Sequence, residues 1–253
     1  MRKIEGNGNP DYGLGFYRRS IRLVSRDVGT VTGELQDNYH AMACTIAHDG
    51  VTVSAVDPLF VRVPTNQCGG AAEPALALVG VPIAISFGDF FGGGRPFAHC
   101  SHMFDLVWLM LRQAQRGIGA RMYEIEVPDH PGPGTERVTL SCDGVPALEW
   151  QVAGGVIAAP EPFAGRAVLS GFVRWAREAL ADDALDAALV LQKGYMVSRA
   201  RQFSRRQLAG PMTASDEVMR DMCWAYSTPR FDEAVRRDSY RDLDDSESLA
   251  RFG

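Results

Sequence analysis

The sequence predicts an α+β fold in which antiparallel β-hairpins surround one buried helix and a mainly helical C-terminal region follows. Three observations carry this reading. Apolar and polar residues alternate from Gly29 onward, the period of half-buried strands. Met103 to Leu111 is apolar nearly all the way round, as a buried central helix is. Beyond Ala167 the apolar spacing becomes helical. A single domain is expected over 1–253, with a β-rich core at 12–160 that holds a helix at 101–116, a helical extension at 165–237 packed on that core, and a surface tail at 238–253.

Each element has its own signal. Val31, Gly33 and Leu35 share one parity while Thr32, Glu34 and Gln36 share the other, so a strand runs here. Tyr39 to His48 makes the next strand, and Asp49-Gly50 ahead of the β-branched run Val51 to Val63 marks a hairpin. A two-residue turn sets His48 opposite Val51, Met42 opposite Asp57 and His40 opposite Leu59, which makes His40 and Asp57 diagonal neighbours on one face. Pro64 to Gly70 reads as a loop and Ala71 to Val79 as a short helix. Phe87 to Pro96 reads as a mobile, glycine-rich loop with three aromatics, suited to a lid or to a close backbone approach; it lacks the Gly-Lys-Ser/Thr ending of a phosphate loop. The central helix is entered through His99-Cys100-Ser101-His102 and emerges at Arg112, Gln113, Gln115 and Arg116 before Gly117. Strands follow at Met122 to Val127 and Arg137 to Cys142, and Asp143-Gly144 turns the chain toward Leu148 to Val152. Helical spacing then covers Ala167 to Leu180, Ala184 to Gln207 and Ala214 to Tyr226.

Composition narrows the function classes. With 253 residues, 46% hydrophobic and 23% charged, the chain is an ordinary globular one that needs no metal or disulfide to hold its core. The apolar run Met103 to Leu111 is about half of the roughly 20 residues a membrane span requires, and the N-terminal residues lack the apolar core of a signal peptide, so a cytoplasmic protein is expected. Five cysteines with no Cys-x-x-Cys pair fit a reducing compartment. A net charge of -5 argues against a nucleic-acid partner, and the runs Arg18, Arg19, Arg22, Arg26 and Arg199, Arg201, Arg205, Arg206 read as solvated strand and helix faces. A homodimer is the expected assembly.

The candidate chemistry centres on histidines. His40 shares parity with Met42, Cys44 and Ile46; it is either a core histidine bonded to backbone or a base or ligand lining a pocket. In His99-Cys100-Ser101-His102, the helix start favours a thiolate at Cys100 and a neutral imidazole at His102, although a capping serine beside a packed cysteine accounts for the same letters. His40, Cys68, Cys100 and His102 have the right types for zinc, but their separations match no finger or ribbon pattern. On the helix from Ala184, the polar residues Gln192, Tyr195 and Arg199 interrupt an apolar stripe, either to meet a polar substrate, with Arg199 suited to its carboxylate, or to make structural hydrogen bonds; Lys193 lies off the stripe as a surface residue or a lowered-pKa amine.

Tyr17-Arg18-Arg19, Gly33-x-Leu35-x-Asp37, His40-x-Met42, Cys68, Leu78-x-Gly80 and Cys100-x-His102-Met103 with Leu106 resemble the marker order of a proteobacterial family known only as a domain of unknown function. The resemblance spans about residues 12 to 150, with Cys142 near the family's later cysteine. It implies a place in the degradation of aromatic and lignin-derived compounds, and it nominates His40, Cys68, Cys100 and His102. The leading expectation is a cofactor-independent lyase that removes carbon dioxide or formaldehyde from a small phenolic or aromatic acid. His40, oriented by Asp57 or Asp37, or His102 moves the proton; Arg199 or Arg18 holds the acid; Tyr195 or Lys193 polarises the phenol; Phe87, Phe90 and Phe91 cover the ring, with Gln192, Cys68 and Cys100 lining the site. The rivals are a metal-dependent hydrolase or lyase on the His/Cys set and a non-catalytic binder of aromatic ligands.

Overall fold

The structure is a computed structural model and describes residues 8–130, 132–203 and 209–243. Its frame is one antiparallel sheet of eight strands: β1 (Phe16–Ser25), β2 (Thr30–Asp37), β3 (Ala41–His48), β4 (Val53–Arg62), β5 (Gly119–Pro128), β6 (Glu136–Cys142), β7 (Val145–Ala153) and β8 (Val156–Ala159). They lie in the order β4-β3-β2-β1-β5-β6-β7-β8. Helix α1 (Ser101–Arg116) connects β4 to β5, and α2 (Phe172–Ala179) and α3 (Asp182–Ser198) follow the last strand.

The fold is thus mixed α+β, but the hairpins merge into a single sheet and do not surround a helix. Strand parity dictates this. Tyr17, Arg19, Ile21 and Leu23 of β1 are all buried. Register sets Leu23 opposite Gly33, and Ile21 opposite both Leu35 and Tyr123, so one continuous face is apolar across the middle strands. Both long helices lie on that face. A Cβ on Gly33 would sit 2.7 Å from the Met110 sulfur, and one on Gly194 would sit 2.8 Å from Ile125 Cγ2, so two glycines permit α1 and α3 to approach the sheet closely. The far side of α1 is covered as well, because Phe90 stacks on Phe104 at 4.3 Å between ring centroids. That second cover explains an apolar periphery on a 16-residue helix.

Several sequence expectations shift. The β3–β4 turn has four residues, not two: the Asp49 carboxylate accepts the amides of Val51 and Thr52 at 2.9 and 2.7 Å, and His48 pairs with Val53. The altered register places Asp57 opposite Thr45, on the exposed face and away from His40, which precedes β3. Phe87 to Pro96 does not form a loop; Phe87–Phe91 is a helical turn capped by Ser86, and a second turn covers Arg95–Ala98. Cys100, not Ser101, holds the N-cap position of α1, and its side chain caps nothing. The region expected as a helix from Ala167 begins only at Phe172, since the Val168 amide pairs with the Gly155 carbonyl at 2.9 Å. The helix from Ala184 gives way to a 3-10 turn, Arg199–Gln202, and its expected end at 204–208 lies outside the described residues. Ala214 to Tyr226 breaks into two 3-10 turns, Ala214–Met219 and Trp224–Tyr226, with Asp221 at a left-handed φ of 62° between them.

The expected surface tail is bound where it is described. Arg241 N–H donates to the Asn38 carbonyl at 2.8 Å, Asn38 Nδ2 donates back to the Arg241 carbonyl at 2.9 Å, and Tyr240 and Leu243 are buried. Positions 244–253 lie outside the described residues. Among the described residues no helix is long and apolar enough to cross a membrane.

Candidate active site

The turn between β2 and β3 builds the centre of the site. Asp37 N–H donates to the His40 carbonyl at 2.8 Å, closing a four-residue turn, while the Asp37 carboxylate accepts the amides of Tyr39 and His40, each at 2.8 Å. Aspartate suits the first position of such a turn because its short carboxylate reaches those amides. The other carboxylate oxygen accepts Arg19 Nη2 at 2.6 Å, Arg19 Nε at 3.1 Å and the Tyr17 hydroxyl at 2.9 Å. Arg19 and Asp37 are 1% and 0% exposed, so this pair is fully withdrawn from water. Burial alone would raise the acid, but the charges of His40 and Arg19, with the hydrogen bond from His40, hold Asp37 well below its ordinary 3.8.

Two imidazoles meet at this carboxylate. His40 Nδ1 lies 3.0 Å from Asp37 Oδ1, and its ring centroid lies 4.1 Å from that of His102, in the first turn of α1. His102 Nδ1 in turn lies 3.3 Å from Arg19 Nη2. Burial pushes the His102 imidazolium well below the usual 6.5, and the neighbouring charges of His40, Arg19 and Lys193 push the same way. Partners assign the hydrogens. An arginine only donates, so His102 Nδ1 presents its lone pair and Nε2 carries the hydrogen; an ionised aspartate only accepts, so His40 Nδ1 carries a hydrogen and Nε2 is the nitrogen left for proton exchange. One ring is set to accept a proton and the other to donate a hydrogen bond.

A cavity of about 410 Å³ opens on Arg19, the residue that joins Asp37 to His102. Arg19, Asp105, Lys193, Phe87, Phe91 and Trp108 line it. Ser101 and Asp105 of α1 and Arg19 of β1 reach this lining, whereas His40, His102 and Asp37 lie behind it and connect to it through Arg19. Lys193 Nζ lies 2.9 Å from Asp105 Oδ2. Gln192 also reaches the cavity and donates to the Val168 carbonyl at 3.2 Å. Phe90, in contrast, is fully buried against Phe104 and packs behind the lining.

Other nominated residues lie elsewhere. Arg18 points to the opposite face of the sheet from Arg19, where it pairs with Glu126 at 2.9 Å and donates to the Leu243 carbonyl at 2.8 Å. Tyr195 and Arg199 form their own cluster on Glu136: the phenol donates at 2.7 Å and the guanidinium sits 3.3 Å from both carboxylate oxygens. Neither is free to hold or polarise a substrate in the cavity. Cys68 and Cys100 are each 8% exposed; burial raises both thiols, Cys100 to about 12, so the helix start yields no thiolate there. The Cys68 sulfur instead meets Thr65 Oγ1 at 3.1 Å. The four His/Cys residues therefore divide, and among the described residues no group of three or more His, Cys, Asp or Glu is placed to hold a metal ion.

Arg19 belongs to a basic run whose spacing suggests a solvated face, yet it shares parity with Tyr17, Ile21 and Leu23, and that parity signals its burial. Arg201, taken the same way, is 2% exposed and pairs with Asp129 at 2.6 and 2.8 Å. Asp105, a lone charge in the apolar run of α1, marks the cavity wall, and Arg177 on α2 also reaches it. No protein-family model matches the chain, and no curated protein sequence matches it.

Proposed function

We propose that the protein is a cofactor-independent lyase that breaks a carbon–carbon bond of a small phenolic compound, releasing carbon dioxide or formaldehyde. The observation that carries this reading is the contact of two imidazoles, His40 on Asp37 and His102 on Arg19, around one buried aspartate–arginine pair whose arginine also lines an aromatic cavity. Phenolic substrates suit such a site because the ring itself stores the electrons. In a substrate whose side chain carries a double bond conjugated to the ring, moving the phenolic proton to the side-chain carbon that bears the one-carbon unit gives a quinone methide. The electron pair of the breaking bond then becomes a side-chain double bond as the ring returns to phenolate, and the one-carbon unit leaves as carbon dioxide or, after its hydroxyl loses a proton, as formaldehyde.

His40 Nε2 takes the proton, with Asp37 fixing its tautomer and stabilising the imidazolium that forms, as the buried aspartate does in hydrolase triads. His102 Nε2–H and the Lys193 ammonium, which pairs with Asp105, donate to the phenolate oxygen. Phe87, Phe91 and Trp108 hold the ring and exclude water. The test is incubation with 4-hydroxyphenyl compounds whose conjugated side-chain double bond ends in a carboxyl or a hydroxymethyl group, with carbon dioxide and formaldehyde assayed. Release by the wild type, and its loss in a folded His102→Ala variant, supports the reading. Equal release by that variant removes His102 from the mechanism, and ligand binding without product after prolonged incubation turns the assignment to a non-catalytic binder.

A further inference from the structure

Charge pairing in the cavity leaves one cation over. Of the cations that line it, Arg19 is committed to Asp37 at 2.6 Å and Lys193 to Asp105 at 2.9 Å. The lining carboxylate of Asp186 is spoken for too, by the Trp108 indole at 3.0 Å, by Arg112 at 3.2 Å and by Arg116 at 3.0 Å. Arg177 alone among these cations meets no carboxylate among the described residues. It is exposed, and its guanidinium carbon sits 5.3 Å from the centre of the Phe87 ring, itself part of the cavity wall. Its Nη2 lies only 2.9 Å from where a Cβ on Gly88 would be, so the absence of a side chain there lets the guanidinium lie close over the helical turn that carries Phe87 and Phe91. The stacked ring holds the fork in place while its N–H edges stay unpaired, which is the arrangement that takes a planar carboxylate in two parallel hydrogen bonds.

We infer that Arg177 is the anion-recognition residue of this cavity and that the ligand class is an aromatic carboxylate, with its ring against Phe87, Phe91 and Trp108 and its carboxylate at the mouth. The assignment rests on the cavity being the ligand site proposed above, but not on the reaction performed there. It also supplies the acid-holding role for which Arg199 and Arg18 were nominated, both of which are occupied on other carboxylates.

Binding of two probes, 4-hydroxybenzoate and phenol, to the full chain tests this by calorimetry with no dependence on turnover. The wild type is expected to prefer 4-hydroxybenzoate, with an affinity that falls as salt rises. Arg177→Gln is expected to weaken 4-hydroxybenzoate about tenfold and to leave phenol unchanged, a loss typical of one charge-assisted hydrogen-bonded pair. Arg174→Gln, one turn away on α2 and outside the lining, serves as the control and should change neither. Equal affinity of the wild type for both probes, no binding of either at millimolar concentration, or an Arg177→Gln variant that keeps the wild-type preference overturns the inference. A carboxylate preference that depends on Arg177 in a protein that releases neither carbon dioxide nor formaldehyde upholds it while refuting the lyase reading.

Discussion

The molecule buries two arginine–aspartate pairs of nearly identical chemistry, Arg19–Asp37 and Arg201–Asp129. Both arginines are 2% exposed or less, and each offers two nitrogens to its aspartate within 3.1 Å. Their third partners differ. Around Asp129 stand the Gly13 amide, and beyond Arg201 the Tyr240 hydroxyl at 2.6 Å, which ties the 238–243 segment to the body of the protein. Around Asp37 stand two imidazoles and a cavity. Burial and pairing alone therefore do not mark a reactive site; what marks one is a titratable group on the far side of the pair with open space beside it.

The largest expected effect is on product release: Asp37→Asn removes the carboxylate that sets the His40 tautomer and should lower turnover on the order of 10³- to 10⁴-fold, as loss of a triad aspartate does. Asp129→Asn should leave turnover per folded molecule unchanged. Next comes stability, where the two variants should look alike, since each strands a buried guanidinium and should cost about 3–5 kcal/mol in urea unfolding. Unequal costs would break the equivalence of the two pairs. Smaller again is the dependence on pH. His102 is neutral in the folded protein while the unfolded imidazole takes up a proton near 6.5, so stability should fall as pH drops below that value, by up to about 1.4 kcal/mol per pH unit. His102→Gln should remove that slope. Asp37, held low when folded, adds a second loss only as pH falls below 3.8 toward its folded value. The smallest effect is Tyr240→Phe, which deletes the hydroxyl on Arg201 and should cost about 1 kcal/mol without touching turnover.

Legibility in the sequence followed local rules. The alternation Val31, Gly33, Leu35 gave β2 its inward face, and α1 ends where Gly117 takes up a left-handed φ. The meeting of His40 and His102 was also readable, from inward parity on one side and the helix start on the other, although His40 reaches the site from a turn and not from a strand. Its carboxylate partner was half readable. Asp37-Asn38 are turn-forming residues between two β runs, but the two-residue turn assumed at Asp49-Gly50 drew Asp57 in as an equal candidate, and the Asp49 side-chain caps then moved it away. The stripe on α3 misled for another reason. Tyr195 and Arg199 do have the helical spacing expected of a shared face, but what they meet is Glu136 of β6, a contact set by tertiary packing alone. The expected helix over Ala214 to Tyr226 does not form because the 3-10 turn capped by Thr213 and Asp216 stops at Met219 and Asp221 then takes a left-handed φ.

The central claim is that the two imidazoles hold opposite hydrogen assignments around Asp37, and ¹⁵N NMR of the histidine rings reads those assignments directly. At pH 6 the His102 ring should be neutral with its hydrogen on Nε2, and the neutral form of His40 should carry its hydrogen on Nδ1. A His102 ring doubly protonated at that pH, or one bearing its hydrogen on Nδ1, contradicts the account.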